Sequence, residues 1–136
     1  MREHTLQAMP YKGEIHKKAW GHELWIINNE KYCGKLLVFK KGKKFSMHYH
    51  LLKDEAWYIS EGEFQYSWID TETAEIKEQI VRVGDCIHLM PEQPHQMLAL
   101  EEVSCIFEVS TQHFDSDSYR VLPGSSQEDN SDNLPF

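Results

Sequence analysis

The spacing of its apolar runs constrains this chain more than any other feature. Apolar and β-branched segments recur at 24–28, 35–40, 45–50, 56–60, 64–69, 78–83, 86–89, 96–100 and 104–109. Turn signals separate them: Asn28-Asn29, Gly42, Glu61-Gly62, Asp70, Gly84-Asp85 and the stretch from Pro91 to Pro94. No window keeps a helical period beyond two turns. Many short strands at regular spacing predict an all-β sandwich or barrel. Residues 1–20 are polar and mixed, with a first strand predicted near 11–16. Residues 123–136 (PGSSQEDNSDNLPF) lack apolar periodicity and are expected to be a disordered tail. That assigns an N-terminal arm to 1–20 and the barrel to 21–122. There is no internal repeat.

A chain of 136 residues, 40% hydrophobic and 12% aromatic, has the apolar content for one core. Its net charge of -8 disfavours nonspecific attraction to nucleic acid or to anionic membrane. The apolar runs fall far short of the roughly 20 residues a membrane helix needs. No apolar run follows a basic start, so no signal peptide is expected. The three cysteines, Cys33, Cys86 and Cys105, form neither a disulfide framework nor a zinc-finger spacing. They read as buried strand residues, and a cytoplasmic setting is expected.

Chemistry concentrates in MHYHLLKDE, residues 47–55. In a strand, His48 and His50 point to the same face, together with Ser46. The four residues LLKD can turn the chain and bring Glu55 alongside on a second strand. Two histidines and a carboxylate leave positions open on a metal, the arrangement of catalytic sites. A fourth ligand must come from elsewhere, and His95, which follows the rigid stretch MPEQP, is the best candidate. An isolated His-any-His on a surface strand is a weak signal. The frame around it strengthens it: Gly42 before, Gly62 after, then Gly84 and His95.

This frame resembles the cupin superfamily. Gly42, His48, His50, Glu55 and Gly62 match the first cupin motif at every position. The second motif is degraded: Gly84 and His95 keep the spacing, but Met90 stands for its Pro, Glu92 for its Gly and Ala99 for its Asn. The resemblance covers roughly residues 20–113. It implies a double-stranded β-helix (jelly-roll) barrel holding one metal through His48, His50, Glu55 and His95. It also implies a homodimer to which residues 5–20 contribute. Three neutral imidazoles and one carboxylate suit a divalent transition metal: Fe, Mn, Zn, Ni or Co.

A second, softer resemblance is to mannose-6-phosphate isomerase-like sugar-phosphate cupins. Trp20, Gly21 and Glu23 fit their opening, and the segment from Phe107 to Arg120 fits their close. Those proteins often carry Gln where this chain has His48. The resemblance implies a metal-dependent isomerase of carbohydrate metabolism with a sugar or sugar phosphate as its small-molecule substrate. Two alternatives use the same site: an Fe(II) dioxygenase or lyase, and a non-catalytic small-ligand-binding module. An isomerase needs a base. His88 and His113 are candidates, although an outward strand position and a loop position are the plainer readings. A phosphate needs a cation; KKGKK at 40–44 reads as a solvated turn, which leaves Lys35, Lys53 and Arg82. Ser46, Trp57 and Met97 are candidate substrate-binding residues, with barrel core as the competing role for Trp57. Phe64, Tyr66 and Trp68 form an alternating stripe read as core or dimer interface.

Overall fold

A computed structural model describes residues 8–128. Eleven strands form two antiparallel sheets, and one short helix follows them. The strands are β1 (Glu14–Lys18), β2 (Gly21–Asn28), β3 (Cys33–Phe39), β4 (Met47–Tyr49), β5 (Glu55–Glu61), β6 (Glu63–Ile69), β7 (Ile76–Arg82), β8 (Cys86–Leu89), β9 (His95–Ala99), β10 (Ser104–Ser110) and β11 (Tyr119–Leu122); α1 spans Ser125–Glu128. One sheet has the order β1-β2-β3-β10-β5-β8 and the other β11-β4-β9-β6-β7. Strands close in sequence are split between the sheets, so the chain crosses repeatedly from one layer to the other. Strand spacing predicts a sandwich or barrel, and the architecture is the jelly-roll that the cupin resemblance implies. No helix among the described residues is long and apolar enough to cross a membrane.

Alternation along the strands builds the core. In β5, Glu55, Trp57 and Ile59 are buried while Tyr58 faces out. In β9, His95, Met97 and Ala99 all point inward. Leu37, Phe39, Trp57, Ile59 and Ile106 come from the first sheet and Phe64, Tyr66, Met97 and Ala99 from the second. Each such large side chain contributes roughly 1.5–3 kcal/mol on burial. The Phe64 and Tyr66 stripe belongs to this core, and Trp68 packs against it.

The link between β5 and β6 is a single residue, Gly62, at φ +74°. A Cβ there would lie 2.5 Å from the Val103 carbonyl oxygen and 2.8 Å from Ser104 Cα. Glycine is therefore required both by the dihedral and by the approach of the neighbouring backbone.

Three expectations change. The first strand begins later than 11–16, at Glu14, and its pairing with β2 draws the arm into the sheet, while Trp20 enters the core. Residues 119–122, the end of the expected barrel, add β11 to the second sheet beside β4. Of the expected tail, residues 123–128 are described and are not structureless. Ser125 then exchanges hydrogen bonds with Lys44, its N–H to the Lys44 carbonyl (2.7 Å) and its Oγ accepting from the Lys44 N–H (2.9 Å). Gly124 packs so closely on the Phe45–Ser46 backbone that no side chain fits. Backbone pairing, which composition does not report, orders this polar stretch. The rest of the expected tail, 129–136, and residues 1–7 of the arm lie outside the described residues. The third change is Cys86, which is exposed on the edge strand β8, whereas Cys33 and Cys105 are buried.

The turn between β8 and β9 carries a local conflict. Glu92 sits at φ +74°, a left-handed conformation that costs an L-residue roughly 1–2 kcal/mol. Its N–H donates to the His50 carbonyl (2.6 Å), which ties this turn to β4. Glu92→Gly is expected to stabilise the protein by about 0.5–1 kcal/mol, because relief of the strain exceeds glycine's entropic cost. Urea unfolding of both proteins checks this; a lower midpoint for the variant would contradict it.

Candidate metal centre

Three strands deliver the site. His48 on β4 is the direct antiparallel partner of His95 on β9, which sets the two imidazoles side by side. His50, two residues on, shares the inward face. Glu55 opens β5 in the facing sheet, so the group closes between the layers. One ring nitrogen from each of His48, His50 and His95 lies within 4.8 Å of the others, a group that can hold a metal ion. Glu55 Oε2 approaches to 3.3 Å from His50 Nε2 and 3.5 Å from His95 Nε2.

The outer face of each imidazole is fixed by a backbone carbonyl. His48 Nδ1–H donates to Ser46 O (2.8 Å), His95 Nδ1–H to Gln93 O (2.8 Å) and His50 Nδ1–H to Asp117 O (2.6 Å). These bonds choose the tautomer and leave the three Nε2 lone pairs available on the inside, the arrangement that orients metal-binding histidines. The carboxylate is divided the same way. Glu55 Oε1 accepts from Trp57 Nε1–H (2.9 Å) and lies 3.7 Å from Lys53 Nζ. Among the described residues, Glu55 Oε2 and His95 Nε2 are the buried side-chain polar atoms without a hydrogen-bond partner. Buried polar atoms are seldom left so. A cation between them would satisfy both, so the donor set fits a divalent metal.

Electrostatics keep the set ready. Burial, reinforced by the neighbouring histidines, pushes His48 well below its ordinary value. Burial likewise takes His95 down to about 3. Burial opposes ionisation of Glu55, but the Lys53 ammonium and His50 outweigh it, so the carboxyl lies below its usual range. Burial also opposes the charge on Lys53, yet Glu55 and Glu108 reverse this and raise its value.

His48, His50 and Glu55 line a pocket of about 350 Å³, which the fully buried His95 does not line. Ser46 and Trp57 line it, whereas Met97 is fully buried in the core beside His95 and does not. Of the cations left open by the sequence, Lys35 and Lys53 line the pocket although almost fully buried, whereas exposed Arg82 pairs with Glu63 (2.8 Å) and does not line it. Lys35 lies 3.3 Å from Glu23 and 4.4 Å from the Trp25 ring centroid; Lys53 donates to Glu108 (3.0 Å). His113, a candidate base with a loop position as the plainer reading, lines the pocket. The Asn28 amide clamps its backbone from both sides, at 2.8 and 3.0 Å, and holds it there. His88 stays outside and exposed, 2.7 Å from Asp54.

Sequence reasoning missed Asp117. Its carboxylate accepts the N–H groups of Leu51 (2.8 Å), Leu52 (3.1 Å) and Lys53 (3.0 Å), while its carbonyl holds His50. One residue from the C-terminal strap thus folds the LLKD loop and orients a ring. An aspartate within DSDS offers no local signal for such a long-range role.

A two-sheet β-barrel closing on three histidines and one glutamate defines a class of protein. The sequence matches the cupin domain over residues 35–110, and the chain belongs to that family. Solved structures agree on the fold. Oxalate decarboxylase from Bacillus subtilis superposes at TM-score 0.71 with 18% identity, over 80% of this chain and 30% of its own. That enzyme has Mn(II) centres. CapF, solved with the inhibitor 3-isopropenyl-tropolone, superposes at TM-score 0.73 with 17% identity, over 83% of this chain and 35% of its own. This chain therefore spans about a third of either protein. No curated protein sequence matches it.

The depressed histidines set a pH dependence. His95 has a value near 6.5 when unfolded and about 3 when folded, so the unfolded chain binds more protons between these limits. Stability from this group is complete above about pH 6.5 and is lost as pH falls towards 3. His48 acts in the same direction. Metal-free protein is expected to lose roughly 1.4 kcal/mol or more between about pH 7.5 and 5.5. Urea titrations at the two pH values measure this; equal stability would contradict it.

Proposed function

We propose that this chain holds one divalent transition metal through Nε2 of His48, His50 and His95 and Oε2 of Glu55, and isomerises a small sugar or sugar phosphate at that centre. The observation that carries the reading is the meeting of three inward Nε2 atoms and an unpaired buried carboxylate oxygen, beside a pocket that His48, His50 and Glu55 line. The metal, when bound, supplies a Lewis acid that polarises a carbonyl or hydroxyl oxygen.

The chain's own residues do the rest. Glu23, Lys35, Lys53 and Glu108 present donors and acceptors side by side along one wall, which suits adjacent hydroxyl groups of a polyol. The Trp57 indole edge holds Glu55 Oε1 and packs on His95, with ring centroids 5.2 Å apart, so the ligand carboxylate cannot swing away. His113 is the base that fits. Burial, with Lys53 and Lys35 nearby, lowers it to about 4, so it is neutral at pH 7. The Lys53 ammonium, 3.2 Å away, donates to Nδ1, and Nε2–H donates to Asp115 (2.9 Å). A proton taken from a substrate carbon at Nδ1 requires that Lys53 first turn to the substrate. Asp115 then stabilises the imidazolium.

Manganese is the first ion to test, since the Bacillus subtilis decarboxylase uses it. Manganese-loaded protein is expected to convert mannose 6-phosphate to its ketose and to place solvent deuterium beside the carbonyl, read by NMR. His113→Asn is expected to lower turnover about 10²-fold or more with metal content unchanged. Oxygen uptake or carbon dioxide release without ketose formation would overturn isomerisation in favour of a dioxygenase or lyase.

A further inference from the structure

Four cationic side chains, those of Lys18, Lys35, Lys53 and Arg120, line the pocket. Lys35 and Lys53 are buried against carboxylates, Glu23 for one and Glu108 and Glu55 for the other. The charge on Lys18 favours the ionised forms of Asp115 and Glu23. Arg120 lies on β11, the strand that the sequence did not reveal.

In the ladder, Arg120 is the direct partner of His48. Side chains directly opposite in an antiparallel pair leave the same face, with Cβ atoms about 4.5–5.5 Å apart. The neighbouring pair confirms the face. Tyr49 and Tyr119 stack their rings 5.3 Å apart on the other side of the sheet, so His48 and Arg120 share the pocket side. The register then shifts between Arg120 and Leu122. A bulge at that place strengthens the local twist and re-aims the side chain beside it. The strand is anchored at both ends, by Asp117 on the 51–53 loop and by Ser125 on Lys44. The guanidinium therefore starts from a fixed backbone, one strand away from a candidate metal ligand, and lines the same pocket.

We propose that Arg120 anchors an oxyanion of the substrate, a carboxylate or a phosphate, beside the metal. The inference rests on the metal reading given above and names the substrate class that this reading leaves open. The guanidinium fork matches either oxyanion in a bidentate pair. The candidate donor set includes one carboxylate, so a divalent ion leaves the centre net positive and favours an anion there. The carboxylates Glu23 and Glu108 are already matched by Lys35 and Lys53, which limits their repulsion of the guest.

Calorimetric titration of manganese-loaded protein with inorganic phosphate, and separately with acetate, tests this in wild type, Arg120→Lys and Arg120→Gln. Metal content and melting temperature are measured on each sample. Arg120→Gln is expected to weaken at least one anion about tenfold, and Arg120→Lys to recover only part of the loss, with metal content and melting unchanged. A loss confined to phosphate assigns a phosphate monoester substrate; a loss confined to acetate assigns a carboxylate. Loaded wild type that binds neither anion at tens of millimolar, or variants within twofold of wild type for both, overturns the anchor alone. Wild type that takes up no manganese overturns the metal reading and the anchor together.

Discussion

The hydrogen bonds from three imidazole Nδ1–H groups to three backbone carbonyls are what the rest of this site depends on. Ser46 and Gln93 accept from the histidines two residues further along their own segments. Asp117 accepts from His50 across a gap of 67 residues. With the outer nitrogen of each ring engaged, the inner nitrogens are lone-pair donors aimed at one region. Burial then keeps His48 and His95 unprotonated. Glu55 is the mirror case, with Oε1 occupied by Trp57 and Oε2 left facing the rings. The site is thus organised from outside inward, and its geometry comes from strand pairing rather than from a single loop.

Much of this was legible in the sequence because it is local. The alternation that puts His48 and His50 on one face needs only a strand, and the Gly62 link needs only a tight turn between two apolar runs. Nine of the strand segments were readable from apolar runs and turn residues. The pairing of His48 with His95 was not, because register between strands 47 residues apart leaves no trace in either segment. The same limit hid β11, Asp117 and the pocket position of His113. Each is held by partners remote in the chain: Tyr49 and His48, the 51–53 backbone, and Asn28. The described start of the expected tail, residues 123–128, is ordered for a related reason. Composition reports whether a segment can form its own core, not whether its backbone can dock on another.

The buried charges are the least economical feature of the barrel. Lys35, Lys53, Glu55 and Glu108 are all nearly inaccessible to solvent. Ion pairs so deep recover their desolvation only with good geometry and full hydrogen bonding, and apolar replacements often serve stability as well. Their concentration along one pocket wall, beside the histidine cluster, is better explained by a polar guest than by folding. Lys53 links the two roles, since it touches Glu55, Glu108 and His113 together.

Elemental analysis of wild type and His50→Ala after manganese loading and desalting tests the central claim most directly, with circular dichroism to show that both are folded. The account expects about one ion per chain in the wild type and near-complete loss in the variant. A folded wild type that retains no metal, or a variant that retains as much as wild type, would contradict it.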